Sequence, residues 1–512
     1  IARCPTFGGR AKSFNADKAR AVPGVKEVVQ IDPIAAGANS AGGVAVVAEN
    51  TWAAMQGRDA LQIEWDLGPN ASESSESLSQ KFGELIAKPG TVIRNDGDAE
   101  GALANATRKV EATYDLPLLA HATMEPMNCT VDVRADSAEA WVPTQGPDWA
   151  MSAIAQITKI PREKINVHTT LMGGGFGRRY QADFVVEAAQ VSKAIGKPVQ
   201  VVWTREDDMQ HDFYRQATRQ SLAAALDDSG KLVAWRHRIV STSIRAFWDP
   251  PDRAKPAQQE VGSAAFIPYS ASNYRVEYAN PPSGIPVAWW RSVEDSMSGF
   301  TVESFVDELA HAAKQDPVEF RLKLIGEPRK EPNVLWPEAR ALDTVRHATV
   351  IRLAAQKSGW GSAMSAGHGR GIAATYAFDT YVAQVAEVSV AADGKVHVDR
   401  IVCAVDCGRV INPDQVKAQM ESAIIYALSA ALHGEITIAN GAVQQNNFND
   451  YEVLRMPEAP KIEVFIVPSD ADPSGMGEPG VPPTAPAVAN AIFAATGKRV
   501  RRLPIRASDL SA

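Results

Sequence analysis

Glu478 is the residue of this sequence best placed for acid–base chemistry, because it lies in a glycine- and proline-rich turn over residues 474–483. Glycine lets the backbone approach a ligand closely, and proline stiffens the chain that follows. No Lys or Arg occurs within ten residues on either side. A carboxylate held in this way suits the role of a general base. The alternative interpretation is a solvated loop residue with no chemical role.

A glycine turn at residues 173–177 is the second candidate, and it lies between a predicted strand (165–172) and a predicted helix (181–195). The N–H groups of such a turn can bind an anion or a cofactor, and Phe176 is its only large side chain. A dinucleotide-binding fingerprint would need a further glycine where this chain has Arg178. The plainer alternative is a tight turn that allows close helix packing.

Three further polar side chains are candidates for a functional site. Gln145 follows a predicted strand, Glu125 lies in the run His-Ala-Thr-Met-Glu-Pro, and Arg291 follows Trp290. The Gln145 amide could point into a crevice at the carboxyl edge of that strand, although a residue in this position is usually a loop hydrogen-bonding residue. Glu125 could be a functional or a buried structural carboxylate. Arg291 could clamp a substrate carboxylate or stack on a neighbouring tryptophan.

The composition excludes several classes of protein. The 512 residues carry a net charge of −8 and are 45% hydrophobic, which is typical of an acidic globular chain and argues against a nucleic-acid partner. No unbroken apolar stretch is long enough to predict a membrane span. The four cysteines form no C-x-x-C pair and the nine histidines form no zinc motif. We therefore expect no protein-ligated metal and no iron–sulfur cluster on this chain.

Hydrophobic periodicity predicts a mixed α+β fold that would position these residues. Hairpins are predicted over residues 222–240 and 385–405, and their similarity indicates duplicated halves. A helix is predicted from Asn412 to about Leu432, and another from Thr484 to Gly497.

Six short motifs, in this order, resemble those of the molybdopterin-binding subunits of the xanthine oxidase family. The most similar branch is the isoquinoline 1-oxidoreductase β-subunit type, which includes aldehyde and nicotinate dehydrogenase subunits. The motifs are His121-x-x-x-Glu125-Pro126, Pro143-Thr144-Gln145, residues 172–179, Trp289-Trp290-Arg291, residues 406–413 and Gly477-Glu478-Pro479. The resemblance extends over essentially the whole chain.

The resemblance implies a role for each motif. Molybdenum is expected to be held by a pterin dithiolene, either as molybdopterin or as its dinucleotide form, and not by side chains. Glu478 is expected to be the catalytic base, and Arg291 and Trp290 to bind substrate. The residues expected to contact the pterin or the oxygen ligands of molybdenum are Gln145, Gly174, Gly175, Phe176, Gly177, Arg178 and Gln419.

The resemblance also implies a domain order, which is a partial α/β hammerhead domain followed by two molybdenum-cofactor-binding α/β domains. The predicted boundaries are 1–66 for the hammerhead, 67–107 for a linker and surface helix, 108–325 for the first cofactor domain, 326–370 for a connector with a helix, and 371–512 for an incomplete second cofactor domain.

The sequence departs from the family in two respects. Ser422, Ala423 and Ala427 stand where the family helix usually has glycine, so we expect their side chains to crowd the pterin. The Gly-Gln-Gly and Gly-Gly-Ser motifs of the family's N-terminal region do not occur here. Ile1 begins in what reads as the middle of a folded segment, so we expect a preceding segment or a companion chain to complete the pterin site.

Two functional hypotheses follow. The first is the catalytic subunit of a molybdenum hydroxylase that oxidises an aldehyde to an acid or hydroxylates an N-heteroaromatic carbon. Such a subunit would pass electrons to a small [2Fe–2S] subunit, with a cytochrome c subunit as a further relay, in the periplasm. The second is a cofactor-free or inactive structural paralogue, or a fragment of such a subunit.

Overall fold

The computed structural model describes residues 1–34, 39–248, 258–335 and 338–511. Residues 336 and 337, in the predicted connector, lie outside this range. Among the described residues, no helix combines the length and the apolar character needed to cross a bilayer.

The first 66 residues form a small α/β unit. Its strands are β1 (Arg10–Asn15), β2 (Val25–Ile31), β3 (Gly43–Ala48) and β4 (Gln62–Asp66), and its helices are α1 (Asp17–Arg20) and α2 (Thr51–Asp59). β1 pairs with β4 and β2 with β3, both antiparallel. The Asn50 side chain accepts a hydrogen bond from the N–H of Ala53 and caps α2. The sequence did not indicate β1, because its residues are mostly exposed and show no apolar alternation.

Residues 67–107 are more than the predicted linker and surface helix. They contain α3 (Ser75–Ile86), β5 (Thr91–Asp96) and α4 (Ala99–Ala104). β5 pairs antiparallel with a strand at Asn273–Ala279 and forms the edge of a five-stranded sheet. No residue of β5 is fully buried, so its sequence carries no hydrophobic pattern from which a strand could be predicted.

The elements from residue 108 to residue 279 build two sheets. The strands are β6 (Arg108–Leu116), β7 (Asn128–Val133), β8 (Ala138–Val142), β9 (Ile165–Thr169), β10 (Val199–Val202), β11 (Thr218–Leu226), β12 (Leu232–Ser241) and β13 (Asn273–Ala279). The helices are α5 (Pro147–Thr158), α6 (Asp183–Ile195), α7 (Arg205–Gln210) and α8 (Ile244–Trp248). The sheets are ordered β10-β7-β8-β9 and β5-β13-β12-β11-β6.

The remaining residues add a third large sheet. Their helices are α9 (Asp295–Ala312), α10 (Pro317–Ile325), α11 (Thr344–Ser358), α12 (Pro413–Leu432), α13 (Thr484–Thr496) and α14 (Ala507–Leu510). Their strands are β14 (Lys330–Glu331), β15 (Leu342–Asp343), β16 (His368–Ala377), β17 (Thr380–Val390), β18 (Val396–Asp406), β19 (Ile438–Ala439), β20 (Ala442–Val443) and β21 (Lys461–Ile466). The order of the large sheet is β16-β17-β18-β21.

Two of the sheets share one pattern of pairing. In β6-β11-β12-β13 the successive pairs are antiparallel, antiparallel and parallel, and β16-β17-β18-β21 repeats this series. The two predicted hairpins are the central pairs of these sheets, so the duplicated halves expected from the sequence have a counterpart in the topology. Helix α9 is buried along almost its whole length in the hydrophobic cluster that both sheets share. A helix buried on all sides shows little amphipathic pattern, so hydrophobic periodicity does not mark its first turns.

The sheet β10-β7-β8-β9 positions the glycine turn. β8 and β9 are parallel, so the segments that follow them leave the same edge of the sheet. Helix α6 then crosses to β10 at the opposite edge. This confirms the predicted strand, glycine turn and helix, and the helix leads to β10, which is separated from β9 by β7 and β8.

Candidate active site

Gln145 and the glycine turn meet at the edge where β8 and β9 end. The N–H of Gly177 donates to Oε1 of Gln145 at 3.1 Å, and the N–H of Gln145 donates to the carbonyl of Arg179 at 3.0 Å. Within the described chain, the side-chain amide nitrogen of Gln145 donates no hydrogen bond, and the residue is exposed. Its two N–H groups are therefore free to bind a ligand.

The turn itself presents bare backbone amides. Gly174 and Gly177 have φ values of +94° and +108°, and Phe176 also adopts a left-handed φ of +55°. A Cβ on Gly175 would lie 2.5 Å from Oε1 of Gln145, so glycine is required for this close approach. No described residue accepts a hydrogen bond from the N–H of Gly174, Gly175 or Phe176. Since buried N–H groups normally have an acceptor, the turn is suited to receive an oxygen-bearing ligand.

Arg179 and Glu125 hold the turn in place. Nε of the buried Arg179 donates to the carbonyl of Gly174 at 2.6 Å, and Nη2 donates to Oε2 of Glu125 at 2.9 Å. The same Oε2 accepts from the N–H of Gly173 at 2.7 Å. Burial alone would raise the pKa of Glu125, but the Gly173 N–H, the Asn128 amide and the Arg179 charge together hold that pKa below its usual value. The sequence singled out Glu125 without its partner and missed Arg179.

Arg178, predicted to bind the cofactor, directs its side chain into the interior. The guanidinium is fully buried and forms two hydrogen bonds to Asp183, at 2.9 and 2.7 Å. Its Nε lies 3.1 Å from a carboxylate oxygen of Asp212, which also binds the ring of His121. The side chain of Arg178 thus anchors the start of α6, and only its backbone adjoins the turn.

Glu478 is held by one of its oxygens. Oε2 accepts from the N–H of Ser292 at 2.8 Å, and the Ser292 hydroxyl donates to the Glu478 carbonyl at 2.6 Å. Oε1 accepts no hydrogen bond within the described chain. Burial raises the pKa of Glu478, while the Ser292 N–H and the nearby Arg291 charge act in the opposite direction. A carboxylate with one anchored oxygen, one free oxygen and a raised pKa can accept a proton.

The backbone that binds Glu478 is strained. Ser292 and Val293 have φ values of +73° and +48°, which are uncommon for residues other than glycine. Each such residue costs about 1–3 kcal/mol and persists where the surrounding structure holds it. Here the conformation directs the Ser292 N–H at the carboxylate. No sequence signal marks this pair, because neither residue type favours the left-handed region.

Arg291 joins the Glu478 loop to helix α12. Its Nε donates to the Gly477 carbonyl at 2.7 Å, and Nη1 donates to the Ser422 hydroxyl at 3.0 Å. Nη2 donates to the carbonyl and to Oε1 of Gln419, at 3.2 and 3.0 Å. The guanidinium carbon also lies 5.9 Å from the centre of the Phe176 ring. The structure thus brings Arg291 next to Gln419, Phe176 and the loop of Glu478, but all three guanidinium nitrogens are engaged by the protein itself.

Trp290 extends this contact into an aromatic stack. Tyr426 lies between Trp290 and Phe176, with ring centres 4.7 and 4.2 Å away respectively. The Tyr426 hydroxyl donates to the carbonyl of His121 at 2.8 Å. Trp290 is buried, yet it is among the residues that line an adjoining cavity.

A cavity of about 640 Å³ lies between the glycine turn and α12. Gly174 and Phe176 line one side, and Ser422 and Ile425 line the other. Its surface is mainly apolar, as in most small-molecule and cofactor sites. Neither Gln145 nor Glu478 lines this cavity.

The small residues of α12 do not crowd the cavity in the way the sequence suggested. Ala423 and Ala427 are buried in a cluster with Trp290 and Val481, so their methyl groups face the interior. A Cβ on Gly480 would lie 2.8 Å from the Cβ of Ala423, which shows how closely the two backbones pack. Of the three residues, only Ser422 lines the cavity, and its hydroxyl is bound by Arg291.

The described residues include no group of three or more His, Cys, Asp or Glu side chains arranged to hold a metal ion. All four cysteines are buried and free. The described residues offer unpaired amides at the glycine turn and at Gln145 and an anchored carboxylate at Glu478, and these groups fit a cofactor that brings its own metal ligands.

Comparison with known proteins shows, first, the class of protein to which this fold belongs. Residues 85–325 and 307–460 match two molybdopterin cofactor-binding domain families. The fold is that of quinoline 2-oxidoreductase from Pseudomonas putida 86 (TM-score 0.82, 15% identity, 99% of this chain and 93% of that one). It is also that of the aldehyde oxidoreductase from Desulfovibrio gigas (TM-score 0.80, 15% identity, 99% and 76%).

Sequence relatives then define the family. The chain is 31% identical to a membrane-bound aldehyde dehydrogenase [pyrroloquinoline-quinone] of Gluconacetobacter polyoxogenes, over 98% of this chain and 67% of that protein. It is 33% identical to isoquinoline 1-oxidoreductase subunit beta of Brevundimonas diminuta, over 98% of this chain and 63% of that protein. The chain thus spans about two thirds of the length of these relatives. It belongs to the molybdopterin-binding subunits of the xanthine oxidase family, as the six motifs suggested.

Proposed function

We propose that this chain is the catalytic part of a molybdenum hydroxylase, which oxidises an aldehyde to a carboxylic acid or hydroxylates a carbon of an N-heteroaromatic ring with oxygen from water. The proposal rests on one observation, which is the position and hydrogen bonding of Glu478. Its carboxylate is anchored through Oε2 to the Ser292 N–H and keeps Oε1 without a partner in the described chain. Arg291 connects its loop to the ring of Phe176, next to the amide-lined turn.

The residues present fit a molybdenum–pterin group. The N–H groups of Gly175 and Phe176 and the side-chain amide of Gln145 have no acceptor in the described chain, so they can donate to the oxygen ligands of such a group. When bound, the group supplies the two-electron oxidation and delivers the water-derived oxygen to the substrate carbon. The cavity beside Gly174 and α12 offers space for an organic ring system.

The protein's own residues bind, orient and transfer a proton. Gln145 and the turn fix the orientation of the cofactor, and the Arg179–Glu125 pair keeps the turn rigid. Glu478 takes up the proton that the oxidation releases, and its raised pKa suits a base that must return the proton to solvent. Arg291 positions Glu478 through Gly477, so we assign it a positioning role in addition to the predicted contact with substrate.

The proposal extends to the partner subunits of this chain and to its cellular location. Because the four cysteines are buried and free, electrons would leave through a separate [2Fe–2S] subunit and then a cytochrome c subunit. The relatives are longer than this chain, which supports a further segment or a companion chain that completes the pterin site. The periplasm is the location that we propose for this complex.

Metal analysis of the purified holoenzyme tests the proposal. We expect about one molybdenum per copy of this chain, with iron only in the partner subunit. A preparation that is active on an aldehyde but contains a quinone and no molybdenum would overturn the assignment of the cofactor. A preparation with neither cofactor nor turnover would favour the structural paralogue, which the relatives do not support.

A further inference from the structure

Two exposed aromatic side chains lie beside Gln145 and have no place in the mechanism above. Trp149, in the first turn of α5, exposes 49% of its surface, and Tyr180, at the end of the 3₁₀ helix after the glycine turn, exposes 38%. We call this pair the aromatic shelf. Exposed aromatic residues that occur singly need no explanation, but two in contact beside a candidate catalytic amide require one.

The shelf is a fixed structure. The Trp149 indole N–H donates to the Tyr180 hydroxyl at 2.8 Å, and the ring centres are 5.9 Å apart at an interplanar angle of 60°. This hydrogen bond holds the two rings in place, and both remain partly exposed to solvent. Tyr180 also makes a T-shaped contact with Trp289, with ring centres 5.8 Å apart at 84°, which further fixes the position of its ring.

The shelf is continuous with the candidate active site. A Cβ on Gly146 would lie 3.1 Å from Trp149 and 3.3 Å from Tyr180, so both rings lie close to the backbone directly after Gln145. The N–H of Tyr180 donates to the Gly177 carbonyl at 3.1 Å, which joins the shelf to the glycine turn. A ligand held against the shelf would therefore lie next to the groups assigned to the cofactor.

We propose that the aromatic shelf of Trp149 and Tyr180 binds the planar ring of the substrate, so that ring-bearing substrates are preferred over aliphatic aldehydes. The inference rests on the proposed function, and it narrows the substrate class to aromatic aldehydes and N-heteroaromatic compounds. Both share the flat π-face that stacks on indole and phenol rings, whereas a short aliphatic aldehyde offers no such face.

Steady-state kinetics of the holoenzyme with benzaldehyde, isoquinoline and acetaldehyde tests this inference. In Trp149→Ala and Tyr180→Ala we expect the KM for the preferred ring substrate to rise about three- to tenfold, as for the loss of one aromatic contact. The KM for acetaldehyde should stay within about twofold. Tyr180→Phe keeps the ring and should change less than Tyr180→Ala. Trp52→Ala, which removes an exposed tryptophan on α2, is the matched control and should change nothing.

Calorimetric titration with benzamide measures binding without turnover, so it tests this inference separately from the proposed function. If the wild type turns over none of the three substrates, the hydroxylase proposal fails, but weaker benzamide binding in Tyr180→Ala would still support the shelf. Unchanged KM values for both ring substrates, or equal benzamide affinity in wild type and Tyr180→Ala, would overturn it. An equal rise in KM for acetaldehyde would also overturn it, because the substitutions would then be distorting the site in general.

Discussion

Substitution of Arg291 by Met should lower turnover more than it lowers substrate affinity. In the structure the guanidinium is buried and bonds to Gly477, Ser422 and Gln419. The substitution keeps the volume but leaves the Gly477 carbonyl and the Gln419 side chain without their donor. The free energy of unfolding should fall by about 2–5 kcal/mol, since each polar group left unsatisfied costs about 1–3 kcal/mol and the effects are not fully additive.

The effect on catalysis follows from the same contacts. Because Gly477 adjoins Glu478, the loss of its anchor should displace the carboxylate and lower kcat by about ten- to a hundredfold, a range typical of small errors in the position of a catalytic group. Arg291→Lys should be nearly as impaired, because one ammonium group cannot replace three separate guanidinium nitrogens.

The assay combines kcat and KM, molybdenum content and urea unfolding for each variant. The matched control is Arg238→Met, which breaks a partly buried ion pair with Glu277 in the five-stranded sheet. It should lower stability without changing kcat. If Arg291→Met kept its kcat and raised KM only for anionic substrates, Arg291 would be a substrate clamp and the positioning role would be refuted.

The remaining predictions concern the glycine turn and the pH profile. Gly175→Ala should reduce molybdenum content, because the new Cβ would lie 2.5 Å from Oε1 of Gln145. Gly477→Ala is the control. It should retain the metal, because its new Cβ would meet nothing within 4 Å. Elemental analysis of both variants would decide, and equal metal content would contradict the prediction. Since burial raises the pKa of Glu478 and the base must be deprotonated, kcat/KM should rise with pH through an acid limb above the range of an exposed glutamate. Arg291→Met should shift that limb to still higher pH, and a shift to lower pH would contradict the assignment.

Local sequence signals predicted much of the fold. The Asn412 cap and the Gly497 stop predicted α12 and α13 within a residue, because capping chemistry is local. Both hairpins were found from their turns and alternating residues. Strands β1 and β5 were missed because they bury little, and the early turns of α9 because it is buried all round.

The residues of the candidate site were harder to predict from the sequence than the fold. Gln145, Phe176 and Glu478 could be singled out because each stands beside turn residues or at a strand end. Their supports could not, because the left-handed conformation of Ser292 and the partners of Arg291 depend on contacts between residues more than a hundred positions apart. Arg178 and Arg179 show the same limit. The two are adjacent in the sequence, but one anchors α6 and the other braces the glycine turn.

The central claim is that Glu478 acts as the base, and Glu478→Gln tests it most directly. The amide oxygen of Gln can still accept from the Ser292 N–H, so the loop should keep its conformation and the enzyme its molybdenum. With metal content equal to that of the wild type, kcat should fall by about 10²–10⁴-fold, the usual contribution of a general base. A variant that retains molybdenum and turns over within about twofold of the wild-type rate would contradict the account.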